Sequence, residues 1–155
     1  SHLKKTAPNF RHYPAASFPV FESEGLWVRT LLGTYEGKSS PVHAFTPLFW
    51  HHVELEPGKR FNLAVDPTHE AALYLLSGSL KVLGQELKAG QLLRFERDGD
   101  HLSILATDRA SLILFGGEPL GEKLVSYGPF VMNSLEEIQE AVTAYESGRM
   151  GSLDF

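Results

Sequence analysis

The sequence contains no cysteine, which excludes disulfides, thiolate nucleophiles and thiolate zinc sites. Histidine, aspartate and glutamate are therefore the side chains left as typical metal ligands. It also has no apolar run near the roughly 20 residues that span a bilayer. We therefore expect no membrane partner.

The sequence has fewer basic than acidic residues. Lys and Arg number 14 against 19 Asp and Glu, a net charge of −5, so direct nucleic-acid binding is not expected. With 155 residues, 43% of them hydrophobic, the chain suits one globular domain. It starts at Ser1 without methionine, and we expect a fragment of a longer protein. The lack of cysteine permits a cytoplasmic location, which we expect.

The chain divides into three parts. Residues 1–20 are predicted to form an extended arm or interdomain linker, since Pro8, Pro14 and Pro19 interrupt any helix. Residues 21–117 carry short apolar runs separated by turn residues, typical of an all-β sandwich or barrel. The predicted strands are residues 26–32, 48–56, 60–65, 71–76, 80–83, 92–96, 101–106 and 111–115.

The run at 48–56 alternates with a period of two, so neighbouring residues lie on opposite faces. His51 is predicted to enter the core and to hydrogen-bond a carbonyl, whereas His52 lies on the surface beside Glu54. The two imidazoles therefore cannot bind one ion together.

Residues 118–155 carry the best-marked helix. Ser134 and Glu137 form a capping box, and Gly148 supplies a left-handed stop. Between them runs an apolar stripe at helical spacing, made of Ile138, Ala141, Val142 and Tyr145. We expect this stripe to need a partner surface.

A glycine pattern resembles that of the cupins, the double-stranded β-helix or jelly-roll proteins: Pro57-Gly58, Ser77-Gly78, Ala89-Gly90 and then His101. The resemblance implies a metal site of two histidines, a glutamate and a later histidine. Counting back from Gly78 puts Ala71 at the glutamate position, and 64–67 holds Asp66 but no histidine. Only His101 matches, so the pattern predicts a cupin barrel without a metal site or catalytic residues of its own.

A second resemblance covers most of residues 20–150. The C-terminal part is similar to the signature of the pirin family, through residues 117–122, Tyr127-Gly128-Pro129-Phe130-Val131-Met132-Asn133 and Glu136-Glu137-Ile138. Further matches to the family are residues 33–37, 40–42, Thr46-Pro47 and 55–58. The similarity continues at residues 145–149. Lys123 departs from the family, which commonly has proline there.

Pirin-like proteins are bicupins, and their iron or other divalent metal belongs to the N-terminal barrel. The resemblance implies that this chain is the C-terminal barrel, with 118–155 as a crossing segment and helix that cover the partner barrel. Without it, Leu124, Tyr127, Phe130, Val131 and the Ile138 stripe lose their cover. The expected partner is therefore the N-terminal cupin domain or a second copy, as a homodimer.

Three functions remain open. The leading one is a structural and interaction domain of a parent that is quercetin 2,3-dioxygenase-like or a transcription co-regulator. The second is a stand-alone cupin dioxygenase or isomerase built on His69, Glu70 and His101. The third is a small-molecule-binding barrel, whose candidate pocket residues are His101, His69 and Tyr74.

Overall fold

The computed structural model describes residues 6–7 and 9–152, so residues 1–5 and Pro8 of the predicted arm lie outside the described residues. The described part is built from strands, with a short 3-10 helix at Ala15–Ser17 and one α-helix, α1 (Leu135–Glu146). The predicted all-β fold with one C-terminal helix is confirmed. The strands are β1 (Val20–Ser23), β2 (Leu26–Leu32), β3 (Thr34–Tyr35), β4 (Lys38–Ser39), β5 (Leu48–Leu55), β6 (Arg60–Ala64), β7 (Glu70–Ser77), β8 (Ser79–Val82), β9 (Gln85–Lys88), β10 (Leu92–Arg94), β11 (His101–Ala106), β12 (Ala110–Gly117), β13 (Val125–Tyr127) and β14 (Phe130–Met132).

Two antiparallel sheets carry the β fold. The larger has six strands in the order β1-β2-β5-β12-β7-β10, and the smaller has four in the order β6-β11-β8-β9. In the described chain no strand pairing joins these sheets into one closed barrel. Two short hairpins, β3–β4 and β13–β14, complete the pairing.

The hydrophobic core lies between the inner faces of the two sheets. Alternation along β5 buries His51, Val53 and Leu55, as predicted. The largest fully buried side chain is Phe61 of β6, which stacks on Tyr35 with ring centroids 5.2 Å apart. Burying a large apolar side chain of this kind contributes about 2 kcal/mol, so the filled interior is the main source of stability.

The chain separates into two compact units, one spanning Arg11–Pro119 and the other containing the residues from 120 onward. In the second unit α1 packs on the β13–β14 hairpin, which buries Ile138 and Ala141. The expectation that the Ile138 stripe lacks cover is therefore wrong for these two residues, whereas Tyr145 of the same stripe is 68% exposed, as expected. Other apolar side chains of the unit are exposed as expected: Leu124, Tyr127 and Val131.

The helix begins and ends where the sequence predicts. Ser134 caps it, its Oγ accepting the Glu137 amide at 3.3 Å. The Glu137 carboxylate accepts the amide of Asn133, at 3.0 Å. At the other end Gly148 has φ +72° and donates its amide to the Tyr145 carbonyl at 3.0 Å, the left-handed stop expected of glycine.

Gly78 links β7 to β8 and lies very close to the backbone at the start of β12. Its φ is +81°, and a Cβ placed there would overlap the carbonyl oxygen of Arg109. Gly84, in the β8–β9 turn, has φ +83° but no atom within 4 Å of an added Cβ. The two glycines share their backbone conformation and differ in the space around them.

We therefore expect Gly78→Ala to destabilise the domain more than Gly84→Ala. The conformational strain of about 1 kcal/mol is common to both variants, and Gly78→Ala adds a clash with rigid backbone that raises its cost by about 2 kcal/mol or more. Urea unfolding of the two variants measures the difference. Equal losses of stability would show that the backbone beside Gly78 moves aside freely.

Candidate functional site

A cavity of about 380 Å³ opens at one end of the space between the sheets. The elements around it are the start of β7, the β8–β9 turn, β10 with the loop that follows it, and the start of β11. His69 and His101 both line it, so the structure brings two of the three candidate pocket residues to one place.

Backbone hydrogen bonds position both histidines. The His69 amide donates to the carbonyl of Asp66 at 2.9 Å, closing a turn just before β7. The Asp66 carboxylate accepts the Thr68 hydroxyl at 2.6 Å and its amide at 2.8 Å, and these bonds lower the pKa of Asp66. His101 opens β11 opposite Ala64, where the Val65 amide donates to the Asp100 carbonyl at 2.8 Å.

The third candidate, Tyr74, is not part of this cavity. It lies on β7 between the buried Leu73 and Leu75, so alternation places it on the outer face of the six-stranded sheet. Glu70 does not line the cavity either; its carboxylate accepts from Arg94 at 3.4 Å. The structure therefore does not assemble His69, Glu70 and His101 into one cavity.

His51 is the only fully buried histidine among the described residues, and its environment differs from the one predicted. Neither ring nitrogen has a hydrogen-bond partner, so the expected bond to a carbonyl is absent. The ring lies between aromatic neighbours, with Phe49 stacked at 6.0 Å and Tyr35 tilted at 5.8 Å. Burial without a partner lowers the pKa of His51 to about 4, because the charged form loses its hydration.

A metal is the cofactor that the family resemblance implies for a cupin, and the donors present do not fit one. Among residues 6–7 and 9–152, no three or more His, Asp or Glu side chains lie together as an ion would require. His51 is separate from the cavity of His69 and His101. The rings that it contacts are Phe49 and Tyr35, and a buried cross-strand neighbour is Thr30, none of which is an acidic or histidine side chain.

The outer face of the six-stranded sheet carries a second candidate site. Register places Leu92, Tyr74 and Ile113 side by side on β10, β7 and β12. Phe115 and Trp50 are paired in the next row, with ring centroids 6.0 Å apart. Exposed large apolar side chains on this face are Leu48, Trp50, Tyr74, Leu76, Leu92 and Phe115. We call this surface the outer apolar face.

Polar groups border that face on β2 and β5. The Arg29 guanidinium lies 4.9 Å from the ring centre of Trp27, and its Nε is buried without a partner. His52 lies on the outer face as predicted, although it is half-buried, and its Nε2 lies 2.9 Å from the hydroxyl of Ser111. The pKa of His52 is lowered, mainly because the ring is partly buried and also because Arg29 is positively charged. The negative charge of Glu54 acts in the opposite direction and raises this pKa. Trp, Tyr and Arg together are typical of protein interfaces.

The helices of the described chain include none that is long and apolar enough to cross a membrane.

Comparison with solved structures defines the class of fold. A crystal structure of quercetin 2,3-dioxygenase from Acinetobacter baumannii matches 99% of this chain with a TM-score of 0.92 and 28% identity, over 55% of that chain. Two facing antiparallel sheets with this similarity define a cupin-type β domain.

The family follows from sequence. The model of the pirin C-terminal cupin domain matches residues 50–151, and the chain belongs to that family. A pirin-like protein of Caulobacter vibrioides is 35% identical over 97% of this chain, and Pirin-1 of Arabidopsis thaliana 32% over 96%. These alignments cover 51% and 54% of the two relatives, so the chain spans about half their length.

The lowered pKa of His51 predicts a pH dependence of folding. In the unfolded chain this imidazole takes up a proton near pH 6.5, whereas in the fold it does so only near pH 4. The stabilisation is therefore fully present above pH 6.5 and is lost as the pH falls to about 4, by about 3 kcal/mol.

We expect His51→Leu to remove this part of the pH dependence, while His12→Gln, at an exposed position, leaves it unchanged. Chemical unfolding of wild type and both variants between neutral pH and pH 4 measures the effect. Parallel pH profiles for wild type and His51→Leu would contradict the assignment.

Proposed function

We propose that this chain is a metal-free structural and interaction domain of a pirin-like protein. In this proposal it packs against a metal-binding N-terminal cupin domain, and quercetin 2,3-dioxygenase-type activity, where the longer protein has it, belongs to that domain. The observation that carries the proposal is the outer apolar face, an exposed surface built on the most regular part of the fold.

The interior of the domain supports a role without metal chemistry. Phe61, Leu73, Leu75, Leu112 and Leu114 are fully buried and occupy the space between the sheets. Two polar residues are buried with them, Thr30 and His51, and His51 is uncharged at neutral pH and stacked on Phe49. A core of this kind stabilises a fold and offers no set of donors to an ion.

The outer apolar face supports the interaction role. Single exposed apolar side chains are common, but a contiguous patch on a sheet marks an interaction site. Leu92 is 62% exposed and Leu76 47%, on strands whose alternate residues form the core. The side chains that border it, Arg29 and Trp27, add groups typical of interface centres.

The length of the relatives supports the partner that we propose, an N-terminal cupin domain. The matching curated relatives are about twice as long as this chain, and the Acinetobacter structure extends over a further 45% of its own length beyond the match. In a protein of that length, the additional part would be the domain that covers the outer apolar face.

Metal analysis tests the proposal that the domain is metal-free. After incubation with Fe²⁺, Ni²⁺ or Zn²⁺ and desalting, we expect the chain to retain far less than one ion per molecule, as measured by mass spectrometry. A stoichiometric ion that disappears in a His69→Ala/His101→Ala variant would contradict the proposal and favour the stand-alone enzyme.

Self-association of the chain tests the proposed interaction role of the outer apolar face. Without a partner domain the outer apolar face is exposed, so we expect the chain alone to form a concentration-dependent dimer with a second copy, as seen by sedimentation velocity. Tyr74→Lys places a charge within the face and is expected to give a monomer. Asn62→Lys, at an exposed position of β6, is the matched control and is expected to dimerise.

Thermal unfolding confirms that both variants are folded before sedimentation. A wild-type chain that stays monomeric at every concentration would contradict the interaction role. A dimer that survives Tyr74→Lys would place the contact on another surface.

A further inference from the structure

The cavity that His69 and His101 line has an apolar floor. Val82 and Ala71 are buried there, and four half-buried side chains of the lining pack directly against the core, namely Val65, Leu93, Phe95 and Leu102. The volume of about 380 Å³ falls in the range of about 300–1,000 Å³ found for small-molecule sites. The floor can therefore receive an apolar body of modest size.

The rim of this cavity is polar and carries excess negative charge. Its polar side chains include Ser103 and Gln85 in addition to the two histidines. Three lining residues have permanent charges, Arg94, Glu96 and Asp98, and Arg94 is paired with Glu70 at 3.4 Å. The charges left over are two carboxylates, which favour a cation over an anion.

Leu83 forms one wall of the cavity at the tip of the β8–β9 hairpin. Its side chain is 89% exposed and its φ is +49°. Leucine is uncommon in this left-handed conformation, and the turn residue that best tolerates it is asparagine or glycine. An exposed leucine held in this conformation at a cavity wall suits contact with a ligand better than it suits the turn.

We propose that this cavity binds a small amphipathic amine, with its hydrocarbon or aromatic body on the apolar floor and its ammonium group at the acidic rim. Phe95 and Leu102 contact the body. Glu96 and Asp98 attract the ammonium group, and His69 and His101 line the same cavity. The site is independent of the outer apolar face and of the structural role proposed above.

Three probes that share a phenyl body and differ in their head group test the proposal: phenethylamine, phenethyl alcohol and hydrocinnamate. Titrations of the ¹⁵N-labelled chain, followed by amide chemical shifts, give both affinity and location. We expect the amine to bind most tightly, by about fivefold over the alcohol, and the carboxylate to bind most weakly. The shifted amides are expected to be those of the cavity lining.

Two sets of variants separate charge from shape. Glu96→Gln/Asp98→Asn is expected to make the amine and the alcohol bind equally, whereas Glu86→Gln/Glu22→Gln, which removes the same charge at exposed positions outside the cavity, keeps the preference. Leu83→Asn is expected to raise the thermal stability, since asparagine tolerates positive φ, and to weaken binding of all three probes.

Several results would contradict the proposed amine site. No shifts with any probe at millimolar concentration, shifts on another surface, or equal affinity for amine and carboxylate would each overturn the proposal. Because the ranking of the probes is measured on the wild-type chain, a variant that does not fold leaves this test intact.

Discussion

The pairing of β12 with β5 on one side and β7 on the other is the constraint on which the rest of the domain depends. This register sends Leu112 and Leu114 into the core and leaves Ile113 and Phe115 on the opposite face. Because side chains alternate along a strand, a shift of one residue would exchange the two sets. The filled interior and the outer apolar face are therefore two results of one alignment.

Much of the β fold could be predicted from the sequence, because its central strands are apolar and alternate clearly. Residues 26–32 and 101–106 were predicted with the bounds that the structure has. The missed strands carry weaker signals. β1 has no fully buried residue and β9 only Leu87, while β3, β4, β13 and β14 have two or three residues each. Such short pairings depend on neighbouring strands more than on local pattern.

The candidate sites were less accessible to prediction, because they depend on which strand ends lie next to each other. His69 and His101 are far apart in sequence, and only the fold brings the start of β7 and the start of β11 to one cavity. Tyr74 was assigned to the same cavity, yet the register of β7 places it on the outer face. For His51, the alternation of side chains along residues 48–56 predicts correctly that the ring is buried. Such an alternation carries no information about which hydrogen-bond partners the ring has.

The order of strands in the large sheet has a consequence for how the chain folds during synthesis. β12 fills the position between β5 and β7, although the ribosome makes it after both of them. Until residues 110–117 emerge, β5 and β7 each present an unpaired hydrogen-bonding edge beside apolar side chains, a state prone to aggregation. The last strand of the sheet to be translated is the one that protects the earlier two, so completion of the domain waits for a late, long-range contact.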